Sequence, residues 1–396
     1  MNIRGLGLTG VSTLLRLAAA VGLISALTHA LPFALFATVS TAMLYGQLIA
    51  ILVDAGFNNE LLRGSGGDTA AEHRDRLHAG TSVRIALLPG VVVVALIIGS
   101  VWKGLAGGQL LALTVGGMLL NTIIDTFFVS LRARRALKAE FLHSLFQIVL
   151  LGPIYLISVR SPWAAGAAIF ATRVVSLVLL VGMGSMLSIV TSGFSFDVIR
   201  EHYIRLRYYL LDTVTSNMGV RADSIAISLF CGQFALAAFQ PAARVYYSAL
   251  ALASVVAGVV IPVAGRPGYS HPARLLTVAF SAAGGAISVA FLLFMGVFAE
   301  FAFGEQYKVT ATVYTIIALT LLVRYVAAGA GAYLTLMGGQ KFRAMAGSWI
   351  FLVTTIILVI LGVTGFATVE RVLMLMTLSQ AATAAVYFYK SRRIGR

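Results

Sequence analysis

Six arginines, Arg16, Arg84, Arg173, Arg221, Arg244 and Arg324, lie in stretches of sequence otherwise apolar enough to span a bilayer. A guanidinium carries a permanent charge and a planar fork of donors that matches the oxygens of a carboxylate or a phosphate. At the bilayer centre it costs about 2.5–3.5 kcal/mol on an insertion scale. Several such residues require water, counter-charge or an anionic ligand in the interior, so the pattern points to a chain that handles negatively charged cargo within the membrane. Arg16 and Arg221 have the most informative surroundings. At the helical advance of about 100° per residue, Thr9, Ser12, Thr13 and Arg16 fall within an arc of about 100°. Thr213, Asn217, Arg221, Ser224 and Ser228 occupy about 80°, with Asp212 and Asp223 on one flank. Such a stripe is prohibitive against lipid and expected against a cleft. Small hydroxyl residues also help membrane helices pack, so the arginines are the sharper signal. Asp212 and Asp223 serve either to hold Arg221 in place or to take up a proton.

The other charged residues allow two readings each. Arg173 in the sixth span, Arg244 one turn after Gln240, and Arg324 beside Tyr325 are either cavity cations or partners of a buried aspartate. Arg84 sits near a cytoplasmic helix start, from which its side chain can snorkel to the interface. Asp54 and Asp125, near cytoplasmic helix ends, are expected to cap helices or to pair with loop cations. His143 and Gln147, one turn apart, read as packed polar residues rather than a relay. No P-loop, G-x-S-x-G or H-E-x-x-H motif is present, and Cys231 is the single cysteine. An internal disulfide and a cysteine-based metal cluster are thereby excluded. No metal or cofactor is expected, and no outer loop is large enough to hold an active site, so the chain is not read as an enzyme.

The elements that position these residues are membrane helices. Of 396 residues 59% are hydrophobic and 11% charged, and the mean hydropathy is +0.94, far from a soluble composition. Spans are expected at about 6–28, 33–55, 81–102, 109–131, 140–158, 163–190, 208–231, 234–262, 275–298, 309–336, 345–365 and 370–389, each long enough to cross about 30 Å of hydrocarbon. Pro89 and Pro241 fall inside spans as possible kinks. Arg16 interrupts what would be the apolar core of a signal peptide, and no clear small-residue cleavage site follows, so the first span is read as retained.

The net charge of +15 would suggest nucleic acid in a soluble protein. Here it is sorted by loop. With both termini on one side, nineteen of the 29 Lys and Arg lie on that side, and only Lys103, Arg160, Lys308 and Arg371 on the other. The positive-inside rule makes the rich side, and both termini, cytoplasmic. An offset of 205 residues superimposes Arg16 on Arg221 and the fourth-to-fifth connection on the tenth-to-eleventh. The expected fold is therefore an all-α polytopic integral membrane protein of about twelve transmembrane helices. These form two six-helix bundles, 1–192 and 208–396, joined by a cytoplasmic linker at 193–207 and related by a pseudo-two-fold along the membrane normal. Arg16 and Arg221 would then face one another across a cleft.

The second span and its exit, LYGQLIAILVDAGFNNELLRG (44–64), resembles the glycine-and-acid exit motif of Wzx-type polysaccharide (O-antigen) flippases. These belong to the multidrug/oligosaccharidyl-lipid/polysaccharide exporter (MOP) superfamily. The segment DTVTSNMGVRADSIAISLFCGQFALAAFQPAARVYYSALAL (212–252) is similar to that family's polar seventh helix, short turn and aromatic eighth. The connection TLMGGQKFRA (335–344) is similar to its basic turn after the tenth. The resemblance implies a flippase in the bacterial inner membrane that moves an undecaprenyl-diphosphate-linked oligosaccharide to the outer leaflet by alternating access. It implies a cationic lumen to which Arg16 and Arg221 correspond, with Arg324 as a tenth-helix counterpart. Arg173 and Arg244 match no motif of the family; with Asn217 they are candidate contacts from their place in the spans alone. Asp212 and Asp223 are candidate sites of ion coupling. The polymerase and glycosyltransferases of the same pathway are candidate partners, and nucleic acid is not. The competing readings are a drug or cation antiporter of the same superfamily, which calls for intramembrane acids to dominate, and a membrane-embedded glycan polymerase or ligase.

Overall fold

The computed structural model describes residues 3–58, 61, 70–133, 137–159, 161–184, 200, 204, 210, 215, 217–265 and 271–394, and it is all-helical, with no strand among them. Among the described residues ten helical segments are long and apolar enough to cross a membrane. The longest, Asp75–Phe128, makes two crossings because it is folded in two at Lys103 and Gly104. The chain is a multi-pass membrane protein. The expected linker at 193–207 and the first half of the seventh span lie largely outside the described residues.

The chain divides into two compact units, Met1–Val214 and Thr215–Arg396. In the first, α1 (Ile3–Ala30) and α2 (Phe33–Asp54) are separated only by Leu31 and Pro32. The stretch Ala70–Ala133 follows as two limbs, α3 (70–102) and α4 (105–133). Between them Gly104 takes φ 71° and ψ −175°, a conformation that a side chain would oppose. The limbs then run in contact. A Cβ on Gly99 would lie 2.8 Å from both the Gly107 carbonyl oxygen and the Gly108 Cα. Small residues let membrane helices approach at the backbone in this way.

The fifth span is α5 (Leu137–Val149) and α6 (Leu151–Ser158), interrupted at Leu150. Pro153 accounts for the break, since it lacks an N–H and its ring crowds the carbonyl four residues back. Pro89 and Pro241, the two prolines noted inside spans, sit in helices that run on through them. α7 (Pro162–Gly184) follows.

In the second unit α8 is helical at 217–226 and ends in a π-turn, Ile227–Cys231. Gly232, at φ 92°, is the single residue before α9 (Gln233–Ala264). There follow α10 (Pro272–Phe303), a 3-10 turn (Glu305–Tyr307), α11 (Ala311–Leu336), α12 (Gln340–Val363) and α13 (Val369–Ile394). The Thr310 hydroxyl caps α11 by accepting from the Val313 N–H at 3.3 Å.

Corresponding helices of the two units find corresponding partners. In the first, α2 and α7 pack on the α3–α4 hairpin; in the second, α9 and α13 pack on the α10–α11 hairpin. Likewise α6 packs on α7, as α12 does on α13. The 205-residue offset is thus expressed as repeated packing. Val101, Leu293, Phe294, Val297, Phe301 and Val363 are exposed, as expected of side chains facing hydrocarbon rather than water.

Candidate functional site

In the first unit the polar stripe of α1 turns inward. Ser12 is buried, and Thr13 and Arg16 are half-buried. Arg16 reaches Asp125 on α4 at 3.5 Å and Glu140 on α5 at 4.0 Å, with side-chain exposures of 22%, 45% and 0%. Its guanidinium also lies 4.7 Å from the centre of the Phe128 ring, and Asn121 donates to Asp125 at 3.1 Å. Arg16 therefore ties α1 to α4 and α5 through charge and an aromatic face.

Glu140, His143, Ser144 and Gln147 are all buried along one face of α5. The His143 Nε2 meets the backbone oxygen and the hydroxyl of Ser176 on α7, each at 2.9 Å, and its ring stands edge-on to Phe128 at 5.1 Å. Arg173, one turn before Ser176, is half-buried and within electrostatic reach of Asp125 and His143.

Arg84 departs from expectation. Instead of snorkelling, it is buried at 2% exposure and closes on Asp54 of α2 and Thr126 of α4. Thr126 passes the connection on, donating to Asn58 at 2.6 Å. The Phe57 ring centre lies 4.6 Å from the guanidinium. Asp54 and Asp125 likewise pair with arginines inside the helices, a correction to the expectation that they cap helices or meet loop cations. An arginine this far from water needs its counter-charge at hand.

The second unit builds a different arrangement from α8, α9 and α11. The Asp223 Oδ1 accepts from the Tyr247 hydroxyl and from the Ser224 N–H, both at 2.5 Å, and the Ser224 and Tyr247 hydroxyls meet at 2.8 Å. Arg221 lies over the Tyr247 ring at 5.1 Å, and Arg324 over the Tyr246 ring at 5.6 Å. Arg324 donates to the Gly219 carbonyl oxygen at 3.2 Å. Asp223 is within electrostatic reach of both arginines. Among the described residues, Arg324 makes no ion pair. Its buried guanidinium is held by a carbonyl and an aromatic face.

The predicted residues thus fall into two groups. Arg16 and Arg173 belong to the first unit. Arg221, Arg324 and Asp223 are brought together in the second, where Asn217 is exposed on α8 and Arg244 is half-buried on α9. Asp212, Thr213 and the side chain of Thr9 lie outside the described residues. Three residues were missed: Glu140, Tyr246 and Tyr247. Glu140 was legible, because Glu140, His143, Ser144 and Gln147 recur at helical spacing on one face. The tyrosines carried no such signal, since aromatics in a membrane helix are usual.

No family model matches the sequence, and no curated protein matches it. Solved structures do match the fold. "Lipid II flippase MurJ, inward closed conformation" aligns with a TM-score of 0.74 at 12% identity, over 99% of this chain and 88% of that one. An inward-facing multidrug resistance MATE family transporter of the MOP superfamily aligns at 0.65 and 14%, over 96% and 98%. A MOP superfamily transporter from Pyrococcus furiosus, whose binding pocket is described as of reverse polarity, aligns at 0.60 and 15%, over 98% and 95%. The chain has the all-helical membrane fold of these transporters.

Proposed function

We propose that this chain is a flippase that moves an undecaprenyl-diphosphate-linked oligosaccharide from the cytoplasmic to the outer leaflet of a bacterial inner membrane. It does so by alternating access and serves cell-surface polysaccharide biosynthesis. The observation that carries the reading is Arg324, 7% exposed in a membrane helix, held by a carbonyl and an aromatic ring, and with no ion pair among the described residues. A desolvated guanidinium fork not in contact with a carboxylate suits phosphate oxygens. Arg221 and Arg324 engage the diphosphate, with Arg244 and Asn217 as further contacts. Arg16 and Arg173 meet anionic cargo when a phosphate or sugar carboxylate replaces Asp125 or Glu140. Asp223 positions the second-unit arginines and, with Asp212, is a candidate for ion coupling. The likeness of fold to a lipid II flippase supports a lipid-linked cargo, and the loop charges support cytoplasmic termini. Glycosyltransferases and a polymerase of the same pathway are the proposed partners.

One observation favours the alternative, a drug or cation antiporter: the first unit holds Glu140 fully buried and Asp125 partly so. The test separates the two. Arg221→Ala abolishes surface glycan at unchanged membrane level of the protein, and Arg221→Lys rescues only in part. Full surface glycan in both Arg16→Ala and Arg221→Ala overturns the cationic-lumen reading. Lost drug resistance with intact glycan selects the antiporter.

A further inference from the structure

We infer that Tyr246 contacts the cargo directly, its hydroxyl and the Arg324 Nε forming a two-donor subsite for a phosphate oxygen of a diphosphate. The inference rests on the flippase reading above and names a ligand-contacting residue within it.

Three tyrosines lie in or beside the second-unit cluster, and their hydroxyls differ. Tyr247 donates to Asp223 at 2.5 Å, and Tyr325 to the Ala249 carbonyl at 2.6 Å. The Tyr246 hydroxyl is buried, in a residue 2% exposed, without a hydrogen-bond partner among the described residues. The Arg324 Nε is also buried without one, in a residue 7% exposed. The two side chains are neighbours, the guanidinium carbon lying 5.6 Å from the Tyr246 ring centre. An unmade hydrogen bond on a buried donor opposes folding, and phenylalanine would fill the same volume without that cost. A hydroxyl at such a place is suited to a ligand.

The chemistry that fits is an anionic oxygen accepting from a phenol O–H and a guanidinium N–H together. Both bonds are strengthened by the ligand's charge, and no proton need be transferred. Arg221, over the adjacent tyrosine at 5.1 Å, supplies a second guanidinium for the other phosphoryl group. The contact from Arg324 on α11 to the Gly219 carbonyl on α8, at 3.2 Å, is the one that an arriving phosphate exchanges. Both subsite atoms are covered here, so cargo reaches them when α8 and α11 part.

The test uses the full chain in lipid nanodiscs, titrated with farnesyl diphosphate, farnesyl monophosphate and inorganic pyrophosphate. Tyr246→Phe is expected to weaken farnesyl diphosphate binding about tenfold with unchanged or higher thermal stability, and Arg324→Gln to weaken it at least as much. An equal loss for pyrophosphate supports the subsite and shows that free diphosphate also enters it. A loss confined to farnesyl diphosphate supports it for the lipid-linked form alone. Unchanged affinity in Tyr246→Phe beside impaired Arg324→Gln overturns the inference and leaves the flippase reading standing. A fall in thermal stability of Tyr246→Phe overturns it too, because the hydroxyl would then have a partner in the protein. Failure of the unmutated chain to bind farnesyl diphosphate overturns the flippase reading itself.

Discussion

In the first unit Arg16 meets Asp125 at 3.5 Å and Glu140 at 4.0 Å, and Arg84 closes on Asp54. In the second, Arg324 meets a backbone carbonyl at 3.2 Å, and aromatic faces lie against both Arg324 and Arg221. The same sequence feature, an arginine in an apolar helix, thus has two physical solutions. Where acids from neighbouring helices reach the guanidinium, the charge is spent on tying helices together. Rings flank the arginines of both units; where a backbone carbonyl is the polar contact, as at Arg324, more of the field is left for a ligand. The stripe on α1 and the stripe on α8 look alike in sequence, and the difference comes from the helices facing them.

This contrast can be broken by removing one arginine at a time and following thermal unfolding of the purified protein. Arg84→Ala should be the most damaging, with a loss of about 3–5 kcal/mol, because it strands Asp54 beside a fully buried cavity. Arg84→Lys should recover little, since lysine lacks the planar fork that bridges Asp54 and Thr126. Arg16→Ala should cost less, about 2–3 kcal/mol, because Asp125 is 45% exposed and keeps part of its hydration. Combining it with Asp125→Asn and Glu140→Gln should return most of that loss; no recovery would mean that Arg16 acts through packing rather than charge.

Arg324→Met should change stability by about 1 kcal/mol or less while abolishing glycan export, because no carboxylate among the described residues is in contact with it to be orphaned. A loss as large as that of Arg16→Ala would erase the distinction between the units. The smallest effect is that of Tyr246, seen against Tyr325. Tyr325→Phe should cost about 1 kcal/mol by deleting its bond to Ala249, whereas Tyr246→Phe should cost nothing measurable.

Much of the architecture was legible because the bilayer imposes it. A run of apolar residues long enough to cross must be a helix, and loop cations sort by side, so spans and their order follow from composition. The 205-residue offset also has a counterpart in packing, with the α3–α4 and α10–α11 hairpins flanked by matching helices. Turns were less legible. Pro153, rather than Pro89 or Pro241, coincides with the broken span, because a proline's effect depends on whether neighbouring helices compensate for it.

Arg84 shows why the site was read only in part. Its position near a helix start permits snorkelling, yet Asp54, thirty positions earlier in sequence, waits for it inside the fold. The chain by itself determined that this protein lies within a membrane, that it is built from two similar halves, and that cations are carried in its interior, since hydropathy and charge are local properties. Only the tertiary structure decided that Arg16 and Arg84 are met by carboxylates and Arg324 by a backbone carbonyl. The partners of Arg16 lie 109 and 124 positions away in the chain, and helix packing alone brings them within reach.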